Sequence, residues 1–112
     1  MIYKLNSMEW LTVYIRDKNQ IDHAIQIPNE ASYSLMELLK ASELPILGTC
    51  GGMALCASCH IYVHSENILP GMKDAEELLL DSLVNSQTNS RLSCQIPVGD
   101  YLDQLIIEIA DQ

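Results

Sequence analysis

Positive charge is scarce in this chain. Among its 112 residues there are 6 lysines and arginines against 15 aspartates and glutamates, which gives a formal net charge of −9. This charge argues against nucleic-acid binding, because phosphate backbones repel an acidic surface. It favours solubility and a partner protein whose contact surface is basic.

Long apolar runs are also absent, although 48% of the residues are hydrophobic. No run approaches the roughly 20 residues with which a helix crosses a bilayer, so no membrane contact is expected. Residues 1–10 lack the basic start and apolar run of a secretory signal. Without internal repeats, the length suits one domain over residues 1–112, with residues 1–8 as a loose leader. We expect a cytoplasmic protein, since cysteines confined to one constellation fit a reducing compartment. We also expect a monomer.

Cysteine is confined to four positions, and three of them fall in one short stretch. Cys50, Cys56 and Cys59 follow the spacing C-x5-C-x2-C, and Cys94 lies far beyond them. Four thiols in this grouping can supply four ligands to one metal centre, three from a single loop and one from a distant segment. We therefore predict that all four cysteines are metal ligands.

Three chemistries compete for these cysteines. Two disulfides would suit a small secreted domain, but a chain that can build an apolar core does not need them. Structural zinc prefers two short C-x2-C hooks, whereas one hook here is longer and Cys94 has no near neighbour. An iron–sulfur cluster needs four thiolates and a loop that wraps it closely. The pattern favours a cluster over zinc, and zinc over disulfides.

Small residues fill the space between the three neighbouring cysteines. Gly51, Gly52, Ala54 and Ala57 keep side chains away from a bulky cofactor. Glycine also permits backbone turns that other residues resist. Backbone N–H groups of this loop can then point at the sulfurs, which raises the reduction potential of a cluster. We predict that these four residues form the environment of the cofactor.

Hydrophobic periodicity and turn signals predict an α+β domain. The predicted strands cover residues 10–15, 21–27, 60–64, 91–96 and 105–109. The first two should form a hairpin. A capping box at Ser34 and Glu37 starts a helix that runs to about Ser42. A second helix should begin with Asp74 as N-cap and end near Val84.

These motifs together resemble the vertebrate-type 2Fe–2S ferredoxins, the adrenodoxin- and putidaredoxin-like group. The resemblance lies in Cys50-Gly51-Gly52, in residues 59–63, in residues 74–83 and in residues 90–96 around Cys94. Plant-type and bacterial two-cluster ferredoxins have other cysteine spacings. The resemblance implies a β-grasp fold, in which a mixed sheet clasps the first helix, and one 2Fe–2S cluster held by the four cysteines.

The resemblance also implies a soluble one-electron carrier rather than an enzyme. Such a carrier takes electrons from an NAD(P)H-dependent flavoprotein ferredoxin reductase. The acceptor that we favour is a haem-thiolate, cytochrome P450-type monooxygenase, and the iron–sulfur cluster assembly machinery is the alternative acceptor. Outside redox chemistry, the alternative is a zinc-binding module for protein interaction.

Acidic residues of the second predicted helix form the candidate partner surface. Asp74, Glu77 and Asp81 fall in one stripe, with Glu76 nearby. An acidic helix face is often only solvated surface. The resemblance implies that this helix docks basic faces of the reductase and of the acceptor, so we predict that all four residues bind the partner.

Two further residues lie next to predicted ligands. His60 follows Cys59 directly. We expect it either to hydrogen-bond between the cluster loop and the acidic helix or to be an ordinary strand-end histidine with its polar atoms satisfied. Arg91 precedes Cys94 by three positions, and it should form an ion pair inside the fold or brace the strand that carries Cys94.

Overall fold

A computed structural model of the chain describes residues 9–17, 19–42 and 59–110. Its strands are β1 (Trp10–Arg16), β2 (Asp22–Pro28), β3 (His60–Val63), β4 (Ser90–Leu92) and β5 (Leu105–Ile109). Its α-helices are α1 (Leu35–Ala41) and α2 (Asp74–Asp81), and short 3-10 turns cover Ser93–Gln95 and Asp100–Leu102. None of the helices in these ranges is long and apolar enough to cross a membrane.

The first two strands form the predicted hairpin. They pair antiparallel, with Val13 opposite Ile25. Asp17 shapes the connection, because its carboxylate accepts hydrogen bonds from the backbone N–H groups of Asn19 (2.8 Å) and Ile21 (3.0 Å). His23 Nε2 lies 2.7 Å from the same carboxylate. The hydrogen bond with His23, together with those backbone donors, lowers the pKa of Asp17.

All five strands belong to one mixed sheet, in the order β2-β1-β5-β3-β4. Strands β1 and β5 run parallel, whereas β5 pairs with β3, and β3 with β4, in antiparallel ladders. The parallel pair at the centre needs a long crossover, and that crossover carries both helices and the cysteine-rich stretch. The mixed sheet with its two helices confirms the predicted α+β fold.

One face of the sheet forms the core. Alternate residues of β1 and β5 point to this face, as the period of two in a strand requires. Helix α1 covers it with an apolar stripe of three leucines and a methionine. The buried residues of these three elements are Leu11, Val13, Ile15, Leu35, Met36, Leu38, Leu39, Leu105, Ile107 and Ile109.

Helix α1 begins as predicted. The Glu37 N–H donates to Ser34 Oγ (3.3 Å), and the Ser34 N–H donates to Glu37 Oε1 (2.8 Å). This reciprocal pair satisfies two backbone donors that the first helical turn leaves without partners. The helix ends at Ala41, and the N–H of its C-cap Ser42 bonds back to Leu38 and Leu39.

Helix α2 and strand β4 are both shorter than predicted. The N-cap of α2 is Lys73, which has an extended backbone and no side-chain cap, so Asp74 is the first helical residue instead. The helix ends at Asp81, where the Ser82 hydroxyl donates to the Leu79 carbonyl (2.6 Å). Strand β4 ends at Leu92, because Ser93–Gln95 turn into a 3-10 conformation rather than continuing to residue 96.

The capping box at Ser34 provides a test of local stability. Replacing Ser34 by alanine removes the acceptor for the Glu37 N–H, and loss of such a cap costs about 1 kcal/mol. For a domain of this size we expect the thermal midpoint to fall by about 4 °C or somewhat more. The control is Ser32→Ala, since Ser32 is exposed and its hydroxyl donates to the exposed Glu30 side chain at 3.3 Å rather than to a helix N–H. Equal midpoints for the two variants would contradict this role of Ser34.

Candidate metal centre

Two of the predicted ligands, Cys59 and Cys94, meet in the core. Cys59 directly precedes β3 and is fully buried, and Cys94 lies in the 3-10 turn after β4 with 8% of its surface exposed. Their sulfur atoms are 3.0 Å apart. That distance is well beyond a disulfide bond of about 2.05 Å. It is shorter than the roughly 3.8 Å between two thiolates that share one tetrahedral metal with bonds of about 2.3 Å. The two thiols are therefore not joined in a disulfide, and a small outward movement of the sulfurs would let them share one metal.

Ser93 fixes the relation between these two cysteines. Both its N–H and its hydroxyl donate to the carbonyl oxygen of Cys59, each at 2.9 Å. The 3-10 turn at Ser93–Gln95 then directs the Cys94 side chain toward Cys59. A regular continuation of β4 would instead alternate its side chains between the two faces of the sheet. The departure from the predicted strand therefore places the fourth ligand.

Gln95 donates a hydrogen bond to sulfur. Its side-chain Nε2 lies 3.4 Å from Cys94 Sγ. An N–H donor directed at a ligand sulfur stabilises negative charge there, and such outer contacts tune metal sites. Sequence reasoning assigned no role to Gln95 or to Ser93. Both residues are direct neighbours of the predicted ligand Cys94, and this position was the signal from which a role could have been predicted.

Most of the predicted site lies outside the described residues. These are the ligands Cys50 and Cys56 and the small residues Gly51, Gly52, Ala54 and Ala57. Within residues 9–17, 19–42 and 59–110, no group of three or more histidine, cysteine or acidic side chains could hold a metal ion. Cys59 and Cys94 are half of the predicted ligand set, so the four-cysteine site stays a prediction.

His60 is buried beside Cys59, with 1% of its surface exposed. Its Nε2 lies 2.8 Å from Ser90 Oγ, and its ring meets the Tyr62 ring edge-on at 4.9 Å between centroids. Burial lowers the pKa of His60. Ser90 begins β4, so among the described residues Nε2 bonds to β4 and not to the acidic helix. The structure therefore favours the second expectation, a strand-end histidine with its polar atoms satisfied, and His60 joins β3 to β4.

A buried ion pair joins α2 to β4. Arg91 donates to Glu76 through Nε (2.7 Å) and Nη2 (3.3 Å), and the backbone N–H of Leu92 donates to the same carboxylate (2.9 Å). The side chain of Glu76 is 1% exposed and that of Arg91 is 11% exposed. The ion pair expected for Arg91 is therefore present, and it braces the strand that leads to Cys94.

The same pair corrects one prediction about the partner surface. Glu76 cannot contact a partner protein, because its carboxylate faces inward and is fully engaged by Arg91 and the backbone of β4. Asp74, Glu77 and Asp81 are exposed. Leu78 lies among them with 71% of its surface exposed. The accessible face of α2 is thus acidic, with Leu78 as its one large exposed apolar residue.

Comparison with known proteins finds a matching family and similar chains. Residues 17–99 match the family model described as the 2Fe-2S iron-sulfur cluster binding domain. Rhodocoxin of Rhodococcus erythropolis is 34% identical over 93 residues, which cover 80% of this chain and 86% of rhodocoxin. Ferredoxin CarAc of a Sphingomonas species is 36% identical over 100 residues, which cover 87% of this chain and 90% of CarAc.

Solved structures show the same fold. A chain in the crystal structure of the covalent putidaredoxin reductase–putidaredoxin complex superposes with a TM-score of 0.78 and 30% identity, covering 90% of this chain and 99% of that one. The ISC-like [2Fe-2S] ferredoxin FdxB of Pseudomonas putida superposes with a TM-score of 0.74 and 25% identity, covering 91% of this chain and 94% of FdxB. These likenesses confirm the predicted β-grasp arrangement.

The Glu76–Arg91 pair provides a test of the brace beside Cys94. The variant Arg91→Met leaves a buried carboxylate without its counter-charge, and breaking such a pair costs about 3 kcal/mol or more. We expect the midpoint of thermal unfolding of the cluster-loaded protein to fall by about 10 °C or more. Adding Glu76→Gln to Arg91→Met should recover part of that loss, because a neutral amide can still accept from the Leu92 N–H.

The matched control is the exposed pair of Arg16 and Asp22. Arg16 Nε lies 2.8 Å from Asp22 Oδ1, but the two side chains are 51% and 69% exposed. Exposed pairs contribute at most about 1 kcal/mol, so Arg16→Met should lower the midpoint by only about 4 °C at most. Similar decreases in the thermal midpoint for Arg91→Met and Arg16→Met would show that the buried Glu76–Arg91 pair stabilises the fold no more than an exposed pair does.

Proposed function

Because this chain belongs to the adrenodoxin- and putidaredoxin-like 2Fe–2S ferredoxins, we propose that it carries single electrons from an NAD(P)H-dependent flavoprotein ferredoxin reductase to a haem-thiolate monooxygenase. Members of this family are electron carriers rather than enzymes, and the cofactor of this chain is one 2Fe–2S cluster. We propose its ligands, its partner surface and its acceptor.

Cys50, Cys56, Cys59 and Cys94 are the proposed ligands. The observation that carries this assignment is the 3.0 Å approach of the Cys59 and Cys94 sulfurs, from positions 35 apart in sequence. When bound, the cluster supplies one-electron transfer at nearly constant geometry. Gly51, Gly52, Ala54 and Ala57 are the proposed small residues around it.

The described residues near Cys94 would stabilise the negative charge that one added electron brings to the site. The Gln95 side-chain N–H, 3.4 Å from Cys94 Sγ, offsets charge on that sulfur. Burial of Cys59 and Cys94 keeps bulk water from the two thiols. The Ser93 bonds and the Glu76–Arg91 pair hold the segment in one arrangement, so that little needs to move when charge changes. His60 joins β3 to β4 through Ser90, and burial lowers the pKa of His60.

Asp74, Glu77 and Asp81 form the proposed partner surface on α2. Their carboxylates are exposed, and the covalent complex of putidaredoxin with its reductase supports a reductase as partner. Acidic groups on an accessible helix attract a basic partner from a distance, which raises the rate of encounter more than the final affinity. A shuttle that meets two partners in turn benefits from this kind of contact.

Two acceptors are candidates for the electron. We favour a monooxygenase because of the family resemblance and the likeness to putidaredoxin. The likeness to FdxB, an ISC-like ferredoxin, supports the iron–sulfur assembly machinery as the second candidate.

An absorption spectrum with metal analysis tests the cluster assignment. Freshly purified protein should be red-brown, should bleach partly with dithionite, and should contain about two irons and two sulfides per chain. The variant Cys94→Ser should lose most of this absorption while the control Ser32→Ala, at an exposed position before α1, keeps it. A colourless wild-type protein that holds stoichiometric zinc, even when made anaerobically with ample iron, would exclude the carrier function.

A charge reversal on α2 tests the partner surface. The variant Asp81→Lys should slow reduction of the protein several-fold at low salt, with putidaredoxin reductase and NADH as the electron source, because it removes attraction to a basic face. The cluster absorption should not change. The control Glu30→Lys makes the same change in net charge at an exposed site after β2. An unchanged rate for Asp81→Lys, or equal slowing by Glu30→Lys, would remove α2 from the interface.

A further inference from the structure

The face of the sheet opposite the core carries a row of alternating charges. Arg16 on β1 lies in register between Asp22 on β2 and Glu108 on β5. Arg16 Nε lies 2.8 Å from Asp22 Oδ1, and His64, just after β3, places Nε2 3.0 Å from Glu108 Oε1. Across the sheet the order is therefore carboxylate, guanidinium, carboxylate, imidazole. We call Asp22, Arg16, Glu108 and His64 the charge row.

An apolar row lies next to the charge row on the same face. Tyr14 is in register with Ala24 on one side and with Ile106 on the other. Tyr14 is 39% exposed and Ile106 is 46% exposed, although both belong to central strands of the sheet. A shallow concavity of about 530 Å³ runs over both rows. Exposed apolar groups gathered in a depression favour contact with another surface.

We infer that this face binds the same face of a second copy of the chain, in a two-fold symmetric dimer. Consider a two-fold axis parallel to the strands, between β1 and β5 and above the sheet. Such an operation places Arg16 opposite Glu108 of the second copy, and Asp22 opposite His64 of the second copy. It also places Tyr14 opposite Ile106 of the second copy. One operation thus matches opposite charges with each other and apolar groups with each other.

Self-complementarity of this kind is what a two-fold interface requires, because the same patch must fit itself. Two sheets packed in this way keep their strands roughly aligned and about 10 Å apart, which lets side chains of the two faces interdigitate. A row with an even number of alternating charges satisfies this condition, whereas a row of like charges would repel its own copy.

The charge of the face also favours a second copy over a strongly basic partner. The charge row holds one arginine, one histidine and two carboxylates, so its formal charge lies between −1 and 0, although the whole chain carries −9. A basic protein is drawn to the acidic surface elsewhere rather than to this nearly neutral face. General repulsion between two acidic chains still opposes the dimer, and salt screens that repulsion. We therefore expect weak association at physiological ionic strength.

The proposed dimer leaves Cys59 away from the contact. Cys59 directly precedes β3 and His64 directly follows it, so the two ends of the strand separate them by about 16 Å at 3.3 Å per residue. The dimer does not depend on the proposed function, and it differs from the monomer expected from the sequence.

A charge-swap experiment tests the dimer. Sedimentation equilibrium of the cluster-loaded wild type, from about 10 µM to about 1 mM at about 0.15 M salt, should show a concentration-dependent rise from monomer toward dimer. Arg16→Glu and Glu108→Arg should each stay monomeric, because each places like charges opposite one another. An equimolar mixture of the two variants should associate, since Glu at 16 then faces Arg at 108, and Glu108 faces Arg16.

Controls separate this contact from an effect of net charge. Lys40→Glu on α1 and Glu30→Arg after β2 make the same changes in net charge at exposed positions outside the two rows, and both should associate as the wild type does. Far-ultraviolet circular dichroism checks that each variant is folded. A wild type that stays monomeric at about 1 mM, or a mixture that fails to associate while the controls do, would overturn the inference, as would association of both single variants.

Discussion

The close approach of two sulfur atoms from distant parts of the chain is the interaction on which the described structure around β3 and β4 depends. Cys59 and Cys94 are 35 positions apart, yet their sulfurs approach to 3.0 Å. The approach follows from three connections between the two segments. Ser93 donates twice to the Cys59 carbonyl, β3 pairs with β4, and His60 bonds to Ser90 across that pair. Each connection lies within a few residues of a sulfur, so the site is held by its immediate neighbours.

The Glu76–Arg91 pair extends this support to α2. A carboxylate with 1% of its side chain exposed is costly to bury, and the pair is stable only because the guanidinium and the Leu92 N–H both satisfy it. A buried charge of this kind contributes little net stability compared with an apolar contact, but it tolerates only one arrangement of its partners. It therefore fixes the position of α2 relative to β4, so that the exposed acids of α2 hold a constant position relative to Cys94.

Local signals in the sequence predicted the local parts of the fold. The capping box at Ser34 and the hairpin of β1 and β2 depend on residues close together in sequence, and both are present. The buried role of Glu76 was not predictable in the same way, because periodicity placed it beside exposed acids, and only the long-range contact with Arg91 turns it inward. The 3-10 turn at Ser93–Gln95 was missed for a similar reason. Its residues suit a strand, and the bonds from Ser93 to Cys59 override that preference.

Composition alone also could not show how differently the acidic residues of this chain act. Asp17 accepts backbone N–H groups and closes a turn, Glu76 neutralises a buried arginine, and Asp81 is exposed to solvent. All three contribute equally to the net charge of −9. Only Asp81 of the three presents its charge to an approaching protein, since the other two carboxylates are paired with groups inside the fold. The electrostatic field that a basic partner meets is therefore set by the carboxylates that stay exposed. Around α2, the buried pair of Glu76 and Arg91 removes one carboxylate from that exposed set.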